Sequence, residues 1–153
     1  MPPTSNPALS AARISAVTLG VSDLARSRAF YLNGLGFAKH PSSLEDITFI
    51  ECAGTVLALY PRAKLARDAH VAEAGSGFTR FTLGRFFRDR ATVDAVLTRA
   101  EKAGATIRKP AAETFWGGYS GYFADPDGFL WEVACHAAWR FDEAGRLILG
   151  PPS

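Results

Sequence analysis

A chain of 153 residues is long enough for one substantial core and short for two independent ones. Lys plus Arg number 17 against 15 Asp plus Glu, with 48% hydrophobic and 21% charged residues, so a disordered chain is excluded. A net charge of +2 supplies no field strong enough to gather nucleic acid or an anionic membrane, and neither is expected as a partner.

The segment from Met1 to Ala12 contains Pro2, Pro3 and Pro7 and lacks the basic start and long apolar run of a signal peptide. It is expected to be a flexible tail. The longest aliphatic stretch, Val56 to Tyr60, falls far below the roughly 20 residues needed to cross a bilayer. A soluble, cytoplasmic protein is expected.

Ile14 to Val21 is rich in strand formers, and Ser22 and Asp23 then suit a helix start. Leu24, Tyr31 and Leu35 recur at helical spacing, and Gly34 and Gly36 mark where that pattern stops. Three short strands are expected next, at Phe37 to His40, Asp46 to Cys52 and Thr55 to Tyr60. Arg62 to Gly77 reads as a connector with one helical turn.

The same order returns afterwards: a strand over Phe78 to Phe87, a helix over Asp89 to Ala103, and strands at Thr106 to Lys109, Gly118 to Ala124 and Phe129 to His136. The helix is well marked, with Val93, Val96, Leu97 and Ala100 on one stripe and Asp94, Arg99, Glu101 and Lys102 elsewhere. The fold class is therefore α+β, two paired βαβββ modules forming a curved sheet around a cavity. The divisions are a tail over 1–12, a first module over 13–61, a connector over 62–77, a second module over 78–136 and a C-terminal arm over 137–153. Trp139, Phe141 and Leu147-Ile148-Leu149 in the arm suit a hairpin that folds back on the core or reaches a second subunit.

Several strings resemble one family. They are Val17-Thr18-Leu19-Gly20-Val21 before Asp23-Leu24, Ser27, then Phe30-Tyr31 with Leu35-Gly36-Phe37, then Gly117-Gly118-Tyr119 leading to Asp125-Pro126-Asp127-Gly128 and Trp131-Glu132-Val133. In that order they resemble the vicinal oxygen chelate superfamily, which contains glyoxalase I, extradiol dioxygenases and bleomycin resistance proteins. The resemblance implies paired βαβββ modules, a homodimer and a small-molecule ligand. In metal-dependent members it implies a divalent ion held by a His on the first strand, a Glu on the fourth, a His on the first strand of the second half and a Glu on the last. Here those positions fall on Ala16, Ala58, Thr82 (or Arg80 in another register) and Glu132. One carboxylate is too few for a stable metal site, and His40, His70 and His136 are not placed to replace the missing ligands. Neither a metal nor another cofactor is expected.

Alternation sets Leu130, Glu132, Ala134 and His136 on one side of the last strand. Glu132 either faces an aromatic cavity, as a proton acceptor or a partner for a cationic ligand, or belongs to a structural network. Thr114 to Tyr122 is dense in aromatics and glycine, so Trp116 and Tyr119 either face a ligand or join the core. Asp125-Pro126-Asp127-Gly128 has the composition of a structural turn. The arginines between Arg80 and Arg90 do not form a nucleic-acid face, since neighbouring strand residues point oppositely, although one of them suits an anionic ligand. Cys52 and Cys135 are expected to be free and packed in the core.

The expected function is binding of a small molecule in an aromatic cavity lined by Phe49, Trp116, Tyr119 and Tyr122, with Glu132 as its main charged group and tentative catalytic residue. The alternatives are a metal-dependent lyase or dioxygenase of the same superfamily, and a module for protein interaction.

Overall fold

The computed structural model describes residues 14–148 apart from Val71, Ser76 and Arg80. The expected tail at the N-terminus and the last residues of the C-terminal arm lie outside that range. Strand β1 (Ala16–Val21) leads to Asp23, whose side chain accepts a hydrogen bond from the Arg26 amide at 3.0 Å and so starts helix α1 (Leu24–Arg28). The helix continues over Ala29–Gly34 in a wider π form, in which the Leu35 amide reaches the Phe30 carbonyl at 2.8 Å. This widening lets two successive residues, Phe30 and Tyr31, both sit in the core, at 2% and 0% exposure. At its end the chain passes close to a second helix: a Cβ on Gly34 would stand 2.5 Å from that of Ala103.

Strands β2 (Thr48–Cys52) and β3 (Thr55–Pro61) form a hairpin, with Ala53 and Gly54 at φ 47° and 105° in its turn. The expected strand over Phe37 to His40 shrinks to one bridge between Lys39 and Ile50. Pro41 follows immediately and has no N–H to extend the pairing. The first sheet thus has the order β1-β3-β2, with β1 parallel and β2 antiparallel to β3. The connector holds more than a single turn. Helix α2 (Arg62–Ala69) runs for 8 residues, favoured by its Ala, Lys, Leu and Arg content, and stops at His70, which is left-handed at φ 57°.

Strand β4 (Thr82–Phe87) begins later than expected, leaving Phe78 66% exposed. Asp89 caps helix α3 (Arg90–Lys102), its carboxylate accepting the Thr92 amide at 2.7 Å. Strand β5 (Thr106–Glu113) is longer than expected and carries Pro110 at the sheet edge, where two register shifts accommodate it. Strands β6 (Tyr119–Ala124) and β7 (Leu130–Cys135) complete a second sheet of order β4-β7-β6-β5, again with its first strand parallel to its last. The chain then forms a short hairpin, β8 (Arg140–Phe141) with β9 (Leu147–Ile148). The α+β class and the doubled module are therefore present, with the first module one strand short.

A single core joins the two sheets, taking Leu19, Val21, Leu57 and Leu59 from the first and Phe123, Trp131 and Val133 from the second. The Asp125 to Gly128 turn locks the modules together. Buried Asp125 accepts the Tyr31 hydroxyl at 2.7 Å, and that hydroxyl accepts the Trp131 indole N–H at 3.1 Å. Asp127 accepts the amide and hydroxyl of Ser22, at 2.9 and 2.7 Å, and the Ser27 hydroxyl at 3.2 Å. Residues that read as a local turn therefore also carry contacts between halves of the chain. Cys135 is buried as expected, whereas Cys52, at the end of β2 beside the hairpin turn, is exposed; both thiols are free.

Candidate functional site

The second sheet has a core-facing side and an outer side, set by strand alternation. Glu132 sits on the outer side, opposite Tyr122 on β6 and Gly84 on β4. The Ser120 hydroxyl donates to its Oε2 at 2.8 Å. Burial, and then the negative charge of Glu132, raise the Tyr122 phenol above its ordinary range, so Tyr122 is a neutral hydroxyl beside a carboxylate. Glu132 is thus a half-buried acceptor with one hydroxyl already bound.

Aromatic rings gather beyond this group, toward the end of β7. The Trp116 ring stacks on His136 and on Trp139, with centroids 5.9 and 5.7 Å apart, and Phe86 lies 4.7 Å from Trp139. Gly118 makes the arrangement fit, since a Cβ there would overlap the Trp116 ring. Replacing Gly118 with alanine is expected to displace Trp116. Overpacking of this kind costs about 1 to 3 kcal/mol, and the displacement is read as a change in tryptophan emission accompanying a lower melting temperature. Unchanged emission and melting would contradict the close packing.

The five side chains expected to line one cavity are divided by the structure. Tyr122 and Glu132 are neighbours, whereas Trp116, in the β5–β6 loop, stacks on His136, four residues beyond Glu132 in the chain. Tyr119 does not join them: its ring faces α3, the hydroxyl donating to Asp94 Oδ1 at 2.6 Å, with the Arg90 guanidinium 4.9 Å from the ring centroid. Tyr119 lies an odd number of residues from Tyr122, and strand alternation sends the two to opposite sides. Phe49 belongs to the other sheet, paired with Ala58 on its outer side. Four cavities bounded by described residues, of about 300 to 730 Å³, do not include Phe49, Tyr122 or Glu132 among their walls.

The four positions at which the resemblance implies metal ligands contain two methyl groups at Ala16 and Ala58, the Thr82 hydroxyl and the Glu132 carboxylate. Among the described residues no three His, Cys, Asp or Glu side chains gather where they could hold a metal ion. His40 bonds Ser42 at 2.8 Å in its loop, and His136 Nδ1 accepts the Ala138 amide at 3.0 Å. The donor set does not fit a divalent ion.

The sequence alone does not mark a cavity of about 650 Å³ that lies between the sheets. Its walls include Val17 and Leu57 of the first sheet, Leu83 and Phe87 of β4, and Trp131 of β7. The terminal hairpin borders it through Phe141 and Leu147. Arg85 enters from β4 between Leu83 and Phe87, a cation at a core-facing position. That alternation was visible in the sequence; the space it points into depends on how the sheets pack.

Comparison with known proteins agrees with the architecture. The chain matches the Glyoxalase/Bleomycin resistance protein/Dioxygenase superfamily over residues 13–133. It belongs to that superfamily. A glyoxalase-related enzyme from Fulvimarina pelagi is 32% identical, with a TM-score of 0.83 over 91% of this chain and 99% of that one. A lactoylglutathione lyase from Agrobacterium tumefaciens is 25% identical, with a TM-score of 0.64 over 86% of this chain and 99% of its own. A family enzyme from Burkholderia phytofirmans PsJN, 21% identical with a TM-score of 0.73 over 81% of this chain and 98% of that one, shares the fold. No curated protein matches the sequence. Among the described residues no helix is long and apolar enough to cross a membrane.

Proposed function

We propose that this chain is a metal-independent, small-molecule-binding member of the superfamily that acts as a homodimer. The ligand site is the outer face of the second sheet, around Glu132 and Tyr122 and beside the Trp116, Trp139 and Phe86 rings. The observation that carries the reading is the donor set: one carboxylate, bonded by Ser120, stands beside Tyr122 and opposite Gly84, over which the Phe86 ring lies, where a metal site requires further His or carboxylate ligands. A carboxylate flanked by rings suits a cationic or hydrogen-bond-donating organic molecule with an aromatic part.

The face is open in a single chain, and Phe49 lies on the outer face of the other sheet. A second copy placing its first sheet over this one would bring Phe49 to Glu132 and Tyr122 and close the cavity, as an isologous pair of identical sites.

The test begins with elemental analysis of untagged protein purified without chelator or nickel resin. Less than about a tenth of a transition-metal ion per chain is expected, and this value persists after incubation with Zn, Ni, Fe and Mn; a stoichiometric ion overturns the reading, because protein sites of this kind need three or more ligands. Thermal shift against matched aromatic amines and carboxylates then follows, with stabilisation expected from the amines. Loss of that stabilisation in Glu132→Gln, with the unliganded melting temperature retained, assigns the site.

A further inference from the structure

The cavity between the sheets shares Gly84 and Phe86 of β4 with the Glu132 face, but neither Glu132 nor Tyr122 lines it, and it holds a different charge. Arg85 reaches into it with the Phe37 ring 4.9 Å and the Phe87 ring 5.2 Å from its guanidinium carbon. Neither ring offers a strong acceptor to the five N–H donors that an Arg carries. Among the described residues no carboxylate lies within 4.0 Å of Arg85, and no hydrogen-bond acceptor is assigned to it. Its nitrogens are not among the buried unpartnered atoms, so they keep some contact with solvent, and a carboxylate that replaces that water would be an acceptor making charge-assisted hydrogen bonds.

The surrounding groups do not supply one. Burial raises the nearby Cys52 thiol above its ordinary range and keeps it neutral, and Arg99 adds a second positive charge to the field at Arg85. Arg146 at the rim is engaged by Asp142 at 2.8 Å. Glu51 also borders the cavity, but it is exposed and lies beyond ion-pair distance of Arg85. Most of the remaining wall is aliphatic or aromatic. An occupant that satisfies this space has one anionic end and an apolar body.

We propose that the inter-sheet cavity binds a small organic carboxylate, its carboxylate accepting hydrogen bonds from the Arg85 guanidinium edge and its apolar part packing between Leu57, Leu83, Trp131 and Phe141. Arginine suits this role because its planar fork meets both carboxylate oxygens while Phe37 and Phe87 stay beside its guanidinium carbon. The terminal hairpin forms one wall, so the C-terminal arm is part of the site.

Isothermal titration with hydrocinnamate and hydrocinnamyl alcohol tests the assignment, since the two probes differ only in the charged end. Wild-type protein is expected to bind the carboxylate at least about tenfold more tightly than the alcohol, as befits a charge-assisted hydrogen bond. Arg85→Met is expected to remove that preference and leave alcohol binding within about threefold of wild type, because the apolar wall remains. Ala144→Trp, at the exposed rim, fills the cavity while keeping Arg85 and is expected to abolish binding of both, which tests the location even if Arg85→Met does not fold. Equal affinity for the two probes in wild type, unchanged carboxylate binding in either variant, or no heat from either probe at millimolar concentration would overturn the proposal. Glu132→Gln is expected to leave hydrocinnamate binding unchanged, so this site and the outer-face site fail independently.

Discussion

Asp125→Ala is expected to lower stability by about 3 kcal/mol, since each buried group left without its partner costs roughly 1 to 3 kcal/mol. Asp125 is 5% exposed, and its two oxygens accept from the Asp127 amide at 2.8 Å, the Phe129 amide at 2.9 Å and the Tyr31 hydroxyl at 2.7 Å. Alanine removes every one of these acceptors. Tyr31 is fully buried and makes a T-shaped contact with Phe30, so its hydroxyl has little freedom to find another partner. For a chain of this size the loss corresponds to a fall in melting temperature of roughly 10 °C. A change within about 0.5 kcal/mol, the range of ordinary surface substitutions, would mean that the turn does not hold the modules together.

Two further variants identify the network. Tyr31→Phe leaves the Trp131 N–H without its acceptor and Asp125 with one donor fewer, at a cost of about 1 to 3 kcal/mol. The double variant Tyr31→Phe with Asp125→Ala is expected to cost less than the sum, because the same bond is lost in each. The pH dependence has a definite sign. Burial outweighs the hydrogen bonds at Asp125 and raises its carboxyl above the ordinary range, so the native state holds that proton more tightly than the unfolded chain does. The stability gained from protonation is fully present below the unfolded value near about 4 and is lost as pH rises through the raised native value. Asp125→Asn cannot titrate, so the gap in urea stability between wild type and this variant should narrow as pH increases across that window. Asp89 and Asp142, held below their usual range chiefly by backbone amides, contribute the opposite slope equally to both proteins.

How far the sequence disclosed this structure depends on the range of the interaction. The capping carboxylates Asp23 and Asp89, the stripe of Val93, Leu97 and Ala100, and the return of the βαβββ order all depend on neighbours within a few residues, and they are found in the structure. Resemblance then named the superfamily. The strand expected at Phe37 to His40 is reduced to the Lys39–Ile50 bridge, because strand-forming composition does not reveal that Pro41 interrupts the ladder. At Tyr119, alternation already distinguished its side from that of Tyr122, whereas aromatic density suggested a common cavity. Asp127 and Asp125 were legible as a turn, but their partners Ser22, Ser27 and Tyr31 are about a hundred positions away in sequence. Arg85 shows the same limit: its parity follows from the strand, while its lack of a carboxylate follows only from packing of the two sheets.

Phe49→Glu is expected to convert the proposed homodimer to monomers and to abolish ligand binding at the Glu132 face. Phe49 lies on the outer side of the first sheet, beside Ala58, and its backbone amide is already satisfied by the Ser43 hydroxyl at 2.9 Å. The substitution therefore changes what the face presents without disturbing the ladder. In a closed pair each chain contributes one such face, so a single change places two new carboxylates in the assembly, each beside the Glu132 carboxylate of the other copy. A buried charge with no partner costs about 3 to 5 kcal/mol, and even one such penalty weakens association by at least about a hundredfold. Leu44→Glu is the control, because Leu44 is 66% exposed in the loop before β2 rather than on that face. Sedimentation equilibrium should show Phe49→Glu as a monomer with wild-type circular dichroism and Leu44→Glu as a dimer. Thermal stabilisation by aromatic amines should disappear only in the first. If Phe49→Glu remains a dimer, the pairing uses another surface; if it becomes a monomer that still binds the amines, the Glu132 face needs no second copy to form its site.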